Sequence, residues 1–263
     1  MGRNRHTNWP YPSAPSTYRG RPSRTIWQRL KAVVKSRTFK IVAYIFLAYV
    51  TIELATIPYD EIASLDTHNP KHTALMRQRL AEAEADGKRL TIRQKWVPLS
   101  HVPKDVRLAI IVSEDGMFYA HGGVDWYEVQ ESIERNIEEG RAARGASTIT
   151  QQVAKNLYLS TAKTPMRKFK ELIITYLMEE QLRKRRILEI YVNIIEWGRG
   201  IFGIEAAAQR YFHKSARELT RDEAARLAAV IPRPLHVNPN QNSQYVLKKK
   251  QLILRRMALR RAR

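Results

Sequence analysis

The chain has 263 residues, of which 44% are hydrophobic and 27% charged. That length allows one sizeable domain with something small beside it, and the composition excludes a wholly disordered protein. There is no cysteine, which removes disulfides, thiolate metal sites and thiol nucleophiles together, and 46 Lys and Arg against 25 Asp and Glu leave a net +21 that calls for an anionic partner. The surplus lies at the two ends. Up to Pro58 there are ten basic residues and one acid, Glu53; from Tyr245 on there are eight basic residues and no acid.

In chain order, residues 1–25 are rich in Pro, Ser, Arg and Tyr without apolar periodicity, and read as a disordered arm. Cations from Arg19 to Lys40 precede an apolar run over 41–57, interrupted by Thr51, Glu53 and Thr56. About 17 apolar residues is the lower limit for a membrane-spanning helix. A cleaved signal would need a shorter core and a small-residue cleavage site, and a buried core helix sits poorly between dense cations and Pro58. A single-pass anchor is therefore expected, with 1–40 cytoplasmic and everything beyond Pro58 outside. Residues 59–94 form a membrane-proximal segment in which Ala74–Ala85 reads helical. Pro98 and Pro103 punctuate a loop before the apolar stretch Val106–Ser113.

From Tyr127 on, the pattern predicts helices over Glu128–Glu139, Thr148–Leu157, Met166–Leu182, Arg186–Ile195, Ile204–Tyr211 and Arg221–Ile231. Thr148 with Gln151 and Thr220 with Glu223 have capping-box spacing, Gly145–Ser147 reads as a turn, and Pro232 and Pro234 stop the helix before them. Strand-like alternation is scarce, so the fold class is mainly α. Residues 241–263 read as a basic amphipathic C-terminal helix whose apolar side packs on the domain.

No Gly-rich phosphate loop, HExxH, nucleophile elbow or Cys/His cluster occurs. Ser160 and Lys163 have SxxK spacing without the companion motifs of penicillin-reactive enzymes, and read as coincidence. The remaining candidates are carboxylates and lysines. Glu114 and Asp115 follow the apolar segment Leu108–Val112, where apolar walls would raise a carboxyl pKa toward general-base range; an ordinary helix-start acid pair is the alternative. Glu171 follows Arg167, Lys168 and Lys170, which could equally be a solvated ion-pair face. Lys155 could be a snorkelling surface lysine.

Five segments in order carry a family resemblance. Residues 114–125 read EDxxFxxHxGxD, 145–156 read GASTITQQVAKN, 167–171 read RKxKE, 184–193 read KxxILExYVN, and Gly203, Ile204, Ala206, Ala207, Tyr211 and Phe212 form the last. This set, over roughly 95–240, resembles the peptidoglycan glycosyltransferases, lysozyme-like domains that polymerise lipid II. The length, single anchor and missing transpeptidase domain resemble the monofunctional members.

The resemblance implies a lysozyme-like glycosyltransferase domain preceded by a single N-terminal transmembrane helix. Glu114 matches the catalytic base that deprotonates the acceptor 4-hydroxyl, and Glu171 the second essential glutamate, near the donor pyrophosphate. Lys155 matches the lysine that neutralises the leaving pyrophosphate, with Arg167 and Lys168 as support. Asp115, Phe118 and His121 fall in the first motif and Ser147, Thr148, Gln151, Gln152 and Asn156 in the second, all implied to build the substrate site. Lys163 stands where the family has arginine, keeping the charge but losing the bidentate fork; Val192 replaces the usual leucine.

No cofactor is implied as required, and a divalent cation, magnesium or manganese, could sit at the donor pyrophosphate, although the sequence contains no closed metal site. The implied partners are lipid II, the nascent glycan strand, the membrane and other cell-wall synthesis proteins, and no nucleic acid. The implied location is the bacterial inner membrane with the catalytic domain periplasmic. A lytic enzyme would not need Lys155 and its neighbours, and a basic nucleic-acid scaffold is disfavoured because the charge lies at the ends rather than around the motifs.

Overall fold

The computed structural model describes residues 25–140 and 146–262. The arm expected over 1–25 therefore lies outside the described residues apart from Thr25, as do Gly145 of the expected turn and Arg263. The chain divides into two units, residues 1–53 and 54–263.

The described part of the first unit is helical. Thr25 caps α1 (Ile26–Lys35) through a capping box with Gln28, and the Ser36 hydroxyl oxygen accepts from Phe39 N at the start of α2 (Arg37–Ala55). At 1.5 Å per residue the 19 residues of α2 reach about 28 Å, close to the hydrocarbon thickness of a bilayer. Val42, Ile45, Phe46 and Ile52 stand exposed and none of the helix's residues is buried. An apolar helix with such exposed side chains is suited to lipid. The helix starts earlier and ends earlier than the apolar run 41–57, because Ser36 caps its start and Pro58 follows its end.

The second unit is mainly α, as expected. In order it contains α3 (Tyr59–Ser64), α4 (Ala74–Ala85), β1 (Arg93–Gln94), α5 (Lys104–Glu114), α6 (Trp126–Glu138), α7 (Ile149–Tyr158), α8 (Pro165–Gln181), α9 (Lys184–Ile194), β2 (Glu196–Gly198), β3 (Ile201–Phe202), α10 (Ile204–Phe212), α11 (Arg221–Val230) and α12 (Gln244–Arg261). The capping boxes expected at Thr148 and Thr220 are present. β3 runs parallel to β1 and antiparallel to β2, a small sheet too short to leave alternation in the sequence. Gly203 ends it at φ 78°, a region L side chains avoid, and an added Cβ would meet the Asn193 carbonyl oxygen at 2.6 Å.

The core explains the helix arrangement. α7 packs against α8 and α9, and α11 lies against α5 and α12. α9 buries Ile187, Leu188, Ile190, Tyr191, Val192, Asn193 and Ile194, and α11 buries Ala224, Ala225, Leu227, Ala228, Ala229 and Val230, the alanines allowing close approach of neighbouring helices. Each fully buried Leu or Ile contributes roughly 2 kcal/mol of transfer free energy. Asn193 is buried and fully used: its side chain bridges the Val97 amide and carbonyl and donates to the Glu189 carbonyl. α6 departs from this pattern. Its only buried residue is Ser132, while Trp126, Tyr127, Ile133 and Ile137 are 64, 71, 54 and 75% exposed.

Candidate active site

The sequence places a carboxylate at the end of a buried helix. Pro103 precedes the first turn of α5, and Val106, Ala109, Ile110, Ile111 and Val112 sink it into the core, so the helix delivers Glu114 as its last residue. Glu114 is half-buried at a cavity of about 640 Å³, within the usual size of ligand sites. Ser113 Oγ donates to Glu114 Oε1 at 3.1 Å and Gln152 Nε2 to Oε2 at 3.1 Å. Behind them, Tyr191 donates its hydroxyl to Gln152 Oε1 at 3.1 Å. Crowding by protein atoms pushes the Glu114 carboxyl up from its ordinary value, against the opposing pull of Gln152, Ser113, Lys249 and Lys155.

The next residues hold the loop in place. Asp115 Oδ1 pairs with His121 Nε2 at 2.9 Å, and Oδ2 accepts the Ile149 amide at 3.0 Å, putting a negative charge at the start of α7 where the helix dipole favours it. His121 Nδ1 accepts from the Gly123 amide at 3.1 Å, so the ring proton sits on Nε2 and points at Asp115. Thr148 donates to the Gly123 carbonyl at 2.6 Å while capping α7 with Gln151. Gly123 has φ 94°, and a Cβ there would strike Thr175 and Glu179 on α8 at 2.7 and 2.9 Å. Phe118 is fully buried beneath Lys184, whose ammonium lies 4.6 Å from the ring centre.

A second carboxylate lies on α8. Glu171 is 2% exposed, with Arg167 Nη1 and Lys168 Nζ each 2.5 Å from one of its oxygens. The solvated ion-pair face is thus corrected: the pair exists, but its acid is buried. Thr175 donates to the Glu171 carbonyl. Lys168 also reaches Ser147 Oγ at 3.4 Å, and Ser147 lines the Glu114 cavity.

Lys155, half-buried on α7, lies in the field of both glutamates. Burial lowers its pKa, Glu171 and Glu114 oppose that, and Arg167 and Lys168 reinforce it. Asn156 is buried on the same helix, and Lys163 is exposed on the loop before α8.

Of the residues singled out in the sequence, Glu114, Asp115, Ser147, Thr148 and Gln152 line the cavity. Glu171, Lys155, Arg167 and Lys168 form a cationic cluster joined to it through Ser147. Sequence reasoning missed Ser113, the Tyr191 hydroxyl, and three cations of α12, Lys249, Arg256 and Arg260, which line the cavity with Glu114. Their spacing of seven and four puts them on one helix face, a signal the sequence did contain.

Among the described residues one group has metal-ligand proximity: Asp115, His121 and Asp125 offer atoms within 4.8 Å of one another. Both Asp115 oxygens, however, are engaged by His121 and the Ile149 amide, and Asp125 Oδ1 accepts from the Glu128 amide. At Glu171 both oxygens are taken by Arg167 and Lys168. Neither carboxylate set fits a divalent cation as it stands.

The family model for Transglycosylase matches residues 82–258. A "Biosynthetic peptidoglycan transglycosylase" from Chromobacterium violaceum is 41% identical over 220 residues, spanning 84% of this chain and 96% of that protein. Proteins of the same description from Janthinobacterium sp. (strain Marseille) and Nitrosospira multiformis are 45 and 42% identical over 190 and 200 residues, covering 72 and 76% of this chain and 82 and 87% of theirs.

Proposed function

This chain belongs to the transglycosylase family and is a peptidoglycan transglycosylase, and on that premise we propose that it polymerises lipid II into β-1,4-linked glycan strands. Glu114 accepts the proton of the acceptor GlcNAc 4-hydroxyl as that oxygen attacks C1 of the donor MurNAc. The bond from C1 to the pyrophosphate oxygen breaks, and its electron pair leaves with undecaprenyl pyrophosphate. Attack opposite the leaving group converts the α linkage to β in one displacement, with no covalent enzyme intermediate. Lys155 neutralises the charge developing on the pyrophosphate. Arg167, Lys168 and Glu171 fix that positive field, with Lys163 and Asn156 as further donor contacts. Asp115, Phe118, His121, Ser147, Thr148, Gln151 and Gln152 hold the loop and the head of α7 around the substrate.

The observation that carries this reading is Glu114 itself: a carboxylate at a cavity mouth, held by two donors, with a raised pKa and a cationic cluster beside it. A base poised above the ordinary carboxylate range is better matched to removing a hydroxyl proton near neutral pH. The lipid-linked nature of the substrate is supported by α2 and by the outward apolar side of α6, whose neighbouring Asp125 and whose Glu128 line the cavity. We place α2 across the bacterial inner membrane with residues 1–40 cytoplasmic and the second unit periplasmic, where lipid II, the nascent strand and other cell-wall synthesis proteins meet it. Incubating the purified full chain with lipid II and resolving the products by gel tests the reading. Glycan polymer is expected, and its absence, or its undiminished formation by Glu114→Gln, overturns it.

A further inference from the structure

α1 (Ile26–Lys35) is a short helix closed at both ends. The capping box between Thr25 and Gln28 starts it, and Ser36 ends it in extended backbone, with ψ 144° against about −42° in a helix. α2 begins at the next residue, Arg37, so it is not a continuation of α1.

The two sides of α1 differ. Ile26 and Trp27 are followed seven residues on, two helical turns, by Val33 and Val34, so the four share one side. All four are exposed, Ile26 and Trp27 at 76 and 74%. Gln28, Lys31 and Lys35 fall outside that arc. A helix of ten residues is marginal in water by itself, and none of the described side chains of α1 is buried. The apolar side therefore calls for a cover.

Charge and position identify that cover. Residues 25–40 contain Arg29, Lys31, Lys35, Arg37 and Lys40 and no acid, and the first acid of the chain is Glu53. A matching surface is apolar beneath Ile26, Trp27, Val33 and Val34 and anionic beside the lysines. The face of a bilayer has both properties, acyl chains under anionic head groups. It is also close by, because α2, apolar and with no buried residue, starts one residue after Ser36. Trp27 brings a ring of the kind that collects at the boundary between head groups and hydrocarbon.

We propose that α1 is an in-plane interfacial helix that binds the anionic lipid surface of the leaflet through which α2 enters the bilayer. This rests on the reading of α2 as membrane-spanning and adds to it a second, lipid-specific contact. Under the topology proposed above that leaflet is the cytoplasmic one, so the chain holds its membrane on the side opposite to its chemistry.

The chain has no cysteine, so single introduced cysteines each carry one nitroxide label. Ile26→Cys, Val33→Cys and Val34→Cys report the apolar side of α1, Gln28→Cys and Lys35→Cys the other side, and Ile45→Cys reports α2. Each labelled full chain is placed in nanodiscs of phosphatidylglycerol and phosphatidylcholine. Collision with oxygen, which concentrates in lipid, is compared with collision with a neutral nickel chelate, which stays in water. A helix lying in the plane at a depth of about 5–10 Å gives lipid contact at 26, 33 and 34, water contact at 28 and 35, and no trend in depth along its length. In pure phosphatidylcholine the lipid contact at 33 should fall, since each cation near an anionic surface changes partition by about fivefold. Lys31→Glu/Lys35→Glu in the Val33→Cys chain should lower it in the anionic discs too, while Lys31→Arg/Lys35→Arg leaves it unchanged. Equal water contact on both sides of α1, a steady deepening from 26 to 34, or shielding from both reagents overturns the proposal, the last by showing a protein cover. Lipid contact indifferent to phosphatidylglycerol and to charge reversal overturns the recognition of anionic lipid. Water contact at Ile45→Cys overturns the membrane-spanning reading and α1's role with it; lipid contact there with any of the other adverse results overturns only the proposal for α1.

Discussion

Tyr191 donates its hydroxyl to Gln152 Oε1 at 3.1 Å, and so fixes the amide with its NH₂ toward Glu114. A side chain in the core thereby decides that the Glu114 carboxylate meets a donor rather than a second oxygen. Tyr191→Phe frees the amide to turn. Losing a donor raises a carboxyl pKa, so the acid limb of the pH–rate profile should move to higher pH, with kcat falling roughly tenfold and stability by about 1 kcal/mol. A pH series on the variant checks this, and an unmoved limb would remove Gln152 from the base's surroundings.

Glu114→Gln keeps the shape and loses the proton acceptor. General-base contributions of roughly 10²–10⁴ predict at least a hundredfold loss of polymer formation. Lipid II binding should persist, because the proposed donor contacts are Lys155 and the Glu171 region rather than Glu114. Lys155→Ala should weaken both binding and turnover. Equilibrium binding and gel assays on both variants separate the roles.

The same substitution has a stability consequence. The folded pKa of Glu114 is raised, chiefly by burial, so its favourable contribution is present below the unfolded value and is lost as pH rises through the folded one. At neutral pH the ionised carboxylate therefore costs stability, and Glu114→Gln should melt higher than the unaltered protein, with the difference shrinking under acid. Thermal melts at two pH values read this directly, and a lower melting point at neutral pH would contradict it.

Activity should fall on both sides of a narrower pH range than free side chains would give. The acid limb belongs to Glu114, raised above the ordinary carboxylate value, and the alkaline limb to Lys155, lowered below ordinary lysine by burial. The base is lost on acidification and the cation on alkalinisation. A rate profile whose alkaline limb lies at or above the ordinary lysine value would exclude Lys155 as the group responsible.

Glu171→Gln leaves Arg167 and Lys168 beside a neutral amide. Removing one partner of a buried ion pair costs about 3 kcal/mol, and Glu171 is 3% exposed in its side chain against 17% for Arg167. A drop of several degrees in melting point, together with loss of polymerisation, is expected. Calorimetry of the variant measures the first, and a gain in stability would mean that the acid stores strain for catalysis.

Local signals were the legible part of this chain. The capping boxes at Thr148 and Thr220 set helix starts because each is complete within four residues. The apolar run gave α2, and the ordered motifs gave Glu114, Lys155 and Glu171. What the sequence hid was long-range. Gln152 and Tyr191 are 39 residues apart, and Arg256 and Val112 are 144 apart, so no window of periodicity contains either pair. α5 read only as an apolar stretch because four of its buried residues are contiguous, Ala109 to Val112, which blurs the helical period. The three strands are two or three residues each, too short for alternation to exist. α6 begins at Trp126 rather than at Glu128, because Asp125 caps it from just outside the apolar pattern.

Glu114 is the final residue of α5, and that position works on it electrically. The carbonyls that end a helix carry the equivalent of about half a negative charge, falling off within a turn. An ionised carboxylate there is held against a standing repulsion from the helix end. Arg256 blunts it by occupying one of those carbonyls, at Val112, without removing it. Protonation ends the repulsion, so the backbone itself favours the neutral carboxyl. The aligned peptide groups thus act as a fixed electrode behind the carboxylate, set when the chain folds and needing no moving part in each catalytic cycle.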